Sequence, residues 1–153
     1  MAHYGTRAGR RICDLTTVDT SIAALESDVA ALEAVDTAAA AAWTPYTPIV
    51  TAASGTLGTH SATGSYKTIG KTTHFRLSIA ITANGTGSGF ISASLPNTAV
   101  AEHAVSGREN ATTFRALAGR VDAGATVSFN YYDNTYPGAN GTAFLLSGVY
   151  ENT

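Results

Sequence analysis

The hydrophobic period changes once along this chain, and that change limits the possible folds more than any other feature. Leu15, Val18, Ile22, Leu25, Val29 and Leu32 recur at alternating spacings of three and four, the seam of a coiled-coil helix. From Thr47 onward the period is two. Phe75, Leu77, Ile79 and Ile81 fall on one side of a run, and Ile91, Ala93 and Leu95 on one side of another. Val127, Phe129 and Tyr131 alternate with Ser128, Asn130 and Tyr132. Such alternation belongs to strands with one buried face. The fold class expected is therefore mainly β: an N-terminal α-helical coiled-coil stalk followed by an antiparallel β-sandwich, jelly-roll-like knob.

Local signals set the limits of the helix. Thr16 or Thr17 supplies an N-cap, and the run Ala38 to Ala42 extends the helix with its best former. Trp43-Thr44-Pro45 stops it, because the residue before proline avoids the α region. The expected helix is 16–42. Charge divides the chain at similar points. Arg7, Arg10 and Arg11 stand in residues 1–11 with no acid, while residues 12–42 hold Asp14, Asp19, Glu26, Asp28, Glu33 and Asp36 with no base. The segments expected are a basic N-terminal anchor (1–14), a coiled-coil helix (15–42) and a β-sandwich tip domain (43–153). The arginines suit an acidic protein surface or a solvated tail; three of them do not make a specific nucleic-acid site.

The seam has its own difficulty. With Ile22 at an a position, Glu26, Asp28 and Glu33 flank the seam at e and g, so parallel copies would bring like charges together with no base to pair them. Three such heptads are marginal alone and need support from the attached body. The alternative is a solitary amphipathic helix docked on its own sheet. β-branched a sites with Leu at d lean toward dimers, but this seam matches that rule only in part, so it leaves the copy number open.

In the body, strands are expected at 48–53, 65–70, 73–81, 89–95, 112–121, 127–132 and 142–150, seven or eight in all. Asn84-Gly85, Pro96-Asn97, Asp122-Ala123-Gly124 and Pro137-Gly138 read as turns. That spacing suits a sandwich. Only 13% of residues are charged, about half the usual share, so strand faces here are short of charge, and such faces usually find a partner.

Signs of chemistry are few. His3, His60, His74 and His103 are not spaced as metal ligands, and Cys13 alone makes neither a disulfide framework nor a zinc site. The glycines from Asn84 to Gly89 lack the lysine and helix of a phosphate loop and read as a hairpin turn. Asp122 and Asp133 stand in separate turns, so no carboxylate pair is expected. Neither an enzyme nor a cofactor is expected. No apolar run is long enough to span a membrane, and the Met-Ala-His-Tyr start lacks the apolar core of a secretory signal. One segment stands out. Tyr131, Tyr132, Asp133, Asn134 and Tyr136 lie close together between two strands. They suit a structured loop first and a glycan-contact site second, since aromatic faces stack on sugar rings and amides and carboxylates bond hydroxyls.

At this point a resemblance enters. Trp43-Thr44-Pro45-Tyr46-Thr47-Pro48 and Gly64-Ser65-Tyr66-Lys67-Thr68-Ile69-Gly70-Lys71-Thr72 are similar to the opening of bacteriophage and prophage fibre tip domains. Tyr132-Asp133-Asn134-Thr135-Tyr136-Pro137-Gly138 and Leu146-Ser147-Gly148-Val149-Tyr150-Glu151 resemble their closing strands. The resemblance covers about 43–151 and rests on motifs of structural type. It implies a virion structural protein made in the host cytoplasm, a homotrimer whose N-terminus, with Arg7, Arg10 and Arg11, plugs into a capsid or neck protein. The outward knob would face host surface glycans. The chain is short for a tail fibre, which favours a head or neck fibre or a spike. Alternatives are a purely structural capsid decoration protein and a free carbohydrate-binding module.

Overall fold

The computed structural model describes residues 15–153. Arg7, Arg10, Arg11 and Cys13 lie outside the described residues, as does the side chain of Leu15. The chain divides into two units, residues 1–37 and 38–153.

Helix α1 runs Leu15–Ala40, about 39 Å at 1.5 Å per residue. The hydroxyls of Thr20 and Ser21 donate to the carbonyls of Thr16 and Thr17 at 2.8 and 2.9 Å. Those two threonines thus lie inside the helix and do not cap it. The seam is open to solvent: Val18, Ile22, Leu25, Val29, Leu32 and Val35 are 40–70% exposed.

The body is one antiparallel sheet of nine strands in the order β1-β3-β4-β9-β6-β7-β8-β5-β2. The strands are β1 Thr44–Tyr46, β2 Val50–Ser54, β3 His60–Ile69, β4 Thr72–Ile81, β5 Ser88–Ala99, β6 His103–Glu109, β7 Ala116–Asp122, β8 Gly124–Tyr131 and β9 Thr142–Glu151. The period-two pattern does what alternation requires. In β4, Phe75, Leu77, Ile79 and Ile81 are buried while Arg76 and Ser78 are exposed. Register then stacks apolar partners, with Leu77 opposite Leu146 and Ile79 opposite Phe144.

The sheet curls on itself. β8 and β9 are three places apart in the strand order, about 14 Å in a flat sheet, yet the rings of Phe129 and Phe144 meet at 5.4 Å. Asn97 of β5 joins Tyr150 of β9 through its N–H and carbonyl, and its amide donates to Thr68 of β3 and Thr73 of β4. Enclosed by the curl are Ile79, Ile91, Val121, Val127 and Phe144, none with measurable exposure. Each such burial contributes about 1.5–3 kcal/mol.

Two expectations are corrected. Pro96-Asn97 is no turn: β5 continues through it, and the pairing with β8 shifts register between Ser94 and Ala99. A proline lacks an N–H, and a bulge is where a strand tolerates one. The stretch 112–121 becomes β7 only from Ala116, because the backbone N–H groups of Ala111, Thr112, Thr113 and Phe114 all bond the Glu109 carboxylate instead of a neighbouring strand.

Candidate functional site

The segment after β8 is tied down residue by residue. Tyr131 ends the strand on its inner side and is 5% exposed. Burial follows from position, since Tyr131 continues the set of Val127 and Phe129. Tyr132 points the other way and is 68% exposed. Asp133 forms an ion pair with Arg115 and accepts the Thr135 hydroxyl at 2.6 Å and its N–H at 3.2 Å. The Thr135 hydroxyl first, then that N–H and Arg115, hold the Asp133 carboxyl below its usual range against a smaller opposing effect of burial. Asn134 sits at φ 64°, a left-handed conformation that asparagine tolerates, and its side chain meets that of Asn130 at 2.7 Å.

Tyr136 turns away from these residues. Its hydroxyl donates to Asn84 Oδ1 at 2.6 Å, packed against the core. Tyr136 thereby anchors the 84–87 turn. Asn140 serves the same turn by accepting the Asn84 N–H at 2.8 Å.

The sheet itself supplies what the loop does not. The outer faces of β7 and β8, with the start of β5, line a groove of about 400 Å³. Four aromatic residues line it: Phe90, 41% exposed, and Tyr132 stand open to solvent, while Phe129 and Tyr131 are buried beneath. Ala118, Gly119 and Ser128 contribute small residues, and Arg120, Asn130 and Asn134 contribute polar ones. Pairing of Ala118 with Asn130 and of Arg120 with Ser128 sets the register of these side chains. Asp122 accepts from Arg120 Nε at 2.9 Å and from the Ser128 hydroxyl at 2.6 Å. A further ion pair joins Arg120 to Glu102 at 3.4 Å.

Beneath the Tyr132 end lies a buried anchor. The Glu109 side chain is fully buried and accepts N–H groups from Ala111, Thr112, Thr113, Phe114 and Ala143, as well as the Thr113 hydroxyl. Burial alone would push its carboxyl up. The N–H groups of Thr113, Thr112, Ala111 and Ala143 outweigh that and hold it far below the usual carboxylate range. The loop so fixed puts Phe114 at φ 55°. It also leads into Arg115, whose guanidinium lies 4.2 Å from the Tyr131 ring centre and 5.2 Å from that of Tyr132.

Of the residues expected from sequence, Tyr131, Tyr132 and Asn134 line the groove, and Asp133 pairs with Arg115. Phe90, Arg120, Ser128 and Asn130 were not among them. Their signal was present as the outward half of the strand alternation, opposite Ile91, Val127 and Phe129. Glu109 had no such signal, because its partners are backbone groups. Among the described residues no cluster of His, Cys, Asp or Glu is arranged to hold a metal ion, and no helix is long and apolar enough to cross a membrane. Comparison of the chain with protein-family models, with curated proteins and with solved structures finds no match.

Proposed function

We propose that this protein is a short trimeric fibre or spike of a bacteriophage particle, fixed to the head, neck or collar by its N-terminal segment with the β body turned outward. In this reading α1 is a coiled-coil stalk. The curled sheet is the knob, its two halves serving as the facing layers of a jelly-roll-like sandwich. The observation that carries the proposal is the open seam of α1, where six apolar side chains from Val18 to Val35 stay 40–70% exposed. A run of that kind is a surface for other helices, and identical copies of the chain supply them in register. The body exposes apolar groups as well: Leu145 and Val149 of β9 stand out on a face they share with Ser78, Ser147, Arg76 and Arg108. The phage assignment rests on the fibre-tip motifs at 43–48, 64–72, 132–138 and 146–151. Three copies follow from that resemblance, since the seam alone does not choose.

Light scattering on the intact chain, alongside a truncated chain of residues 43–153, tests the reading. The intact chain is expected at three times its 15.7 kDa mass. A trimer that persists in 43–153 would assign assembly to the knob, and one lost on truncation would assign it to the stalk. Monomers from both chains overturn the fibre and leave a free carbohydrate-binding module.

A further inference from the structure

We propose that the groove on the outer face of β5, β8 and β7 binds an uncharged saccharide, with Phe90 and Tyr132 as its stacking surfaces. The assignment gives the outward body a ligand, so it extends the fibre reading. It concerns the surface of a single body and stands apart from the copy number.

The chemistry of the lining selects the occupant. Two exposed aromatic residues border a bed of small side chains, with the amides of Asn130 and Asn134 and the acceptor oxygen of Ser128, whose proton goes to Asp122, between them. Sugars present apolar C–H faces and hydroxyl edges in that combination, and aromatic rings cover such faces. The cavity, about 400 Å³, lies in the range of small-ligand sites, roughly 300–1,000 Å³.

Charge excludes the other classes. Arg120 is the one cation lining the groove among the described residues, and it is held by both Asp122, at 2.8 Å, and Glu102, at 3.4 Å. Two carboxylates around one guanidinium leave no excess positive charge for an acidic sugar or a nucleic-acid backbone. The same ion pairs leave Asp122 oriented and the Ser128 hydroxyl committed to it, so the bed is ordered before a ligand arrives.

The Tyr132 side of the groove is preformed as well. Arg115 lies over Tyr132 and pairs with Asp133, and the loop leading into Arg115 is wrapped on the buried Glu109 carboxylate. A binding surface held by such a supporting layer loses less freedom when it binds. Arg115 and Glu109 are therefore positioning residues, and Phe90 and Tyr132 are the contacts.

Saturation-transfer NMR on the full chain tests this, with maltohexaose, cellohexaose, mannohexaose and chitohexaose as neutral probes and hexagalacturonate as the charged one. At least one neutral hexamer is expected to bind, and hexagalacturonate to bind more weakly. Phe90→Ala and Tyr132→Ala, both at exposed positions, each weaken that affinity by about tenfold or more, the loss typical of a central aromatic contact. Arg115→Ala weakens it less, and Tyr136→Phe, outside the groove, leaves it unchanged. No transfer from any neutral probe overturns the proposal. So does preferred binding of hexagalacturonate, or binding that survives the Phe90→Ala/Tyr132→Ala double change. Light scattering on the same samples separates the two readings. A trimer without saccharide binding removes the groove alone, and a monomer that binds removes the fibre alone.

Discussion

The helix and the body treat the same kind of residue in opposite ways. Ile22 and Leu25 in α1 are 48% and 63% exposed, whereas Ile79 and Phe144 in the sheet have no exposed surface. Period accounts for the difference. A period of two on strands that curl together encloses its own apolar face, because the sheet folds over and Phe129 reaches Phe144. A seam of period three and four on one helix is a stripe with nothing to close around it. The body completes its burial within one chain; the helix keeps its apolar stripe exposed.

The sharpest way to break this comparison is to damage each region in turn. Phe144→Ala removes a ring from the centre of the body, where truncation of a buried aromatic costs about 3–5 kcal/mol. The body's cooperative melting transition is expected to fall steeply or vanish. Ile22→Asp with Leu25→Asp puts two charges on the seam and should leave that transition in place while light scattering shows the assembly reduced to single chains. A seam variant that keeps its mass, or that melts as early as Phe144→Ala, would erase the distinction between the two regions.

A middle-sized effect lies at Glu109, the body's one buried ion among the described residues. Glu109→Gln replaces a charged acceptor with a neutral amide whose NH₂ faces backbone donors, at an expected cost of about 2–3 kcal/mol. Its pH dependence has a definite sign. The folded carboxyl titrates below its unfolded value, so the stabilisation is complete above the unfolded pKa, about 4.3, and is lost as pH falls below it. The gap in denaturation midpoint between wild type and Glu109→Gln should therefore be widest near pH 6 and narrow toward pH 2. A gap that stays constant with pH would mean that the carboxylate's charge contributes nothing.

How much of this was legible follows the same division between periodic and non-periodic structure. The helix was expected at 16–42 and runs Leu15–Ala40, and the run 73–81 lies within β4, Thr72–Ile81. Both rest on periodic apolar residues. β6, His103–Glu109, escaped because its inward positions are Val105, Gly107 and Glu109, a strand face with one aliphatic side chain. The start of β7 was misplaced because a carboxylate took the N–H groups of 111–114. At the site, Tyr131 was readable as buried from its place beside Val127 and Phe129, and the same alternation pointed Ser128, Asn130 and Tyr132 outward. Tyr136 was not readable, since the Asn84 that holds it lies 52 residues away in sequence.

The smallest effect tests how finely the body's enclosure is drawn. Tyr46, at the end of β1, packs its ring edge-on to Tyr66 at 5.8 Å. It fits against Gly64, where a Cβ would stand 2.5 Å from the ring. Its hydroxyl is buried with no hydrogen-bond partner, and burial, followed by the nearby Tyr150, pushes its ionisation well above the usual tyrosine value. A buried hydroxyl without a partner has lost its water and gained nothing in exchange. Tyr46→Phe keeps the ring and removes that loss, so it should stabilise the body by about 1 kcal/mol and raise Tm by about 3 °C. In α1 no single hydroxyl should matter in this way, because the side chains there remain hydrated. A fall in Tm on Tyr46→Phe would mean that the hydroxyl is satisfied in an assembled protein, and the body's burial would then depend on neighbouring copies, as that of the proposed stalk does.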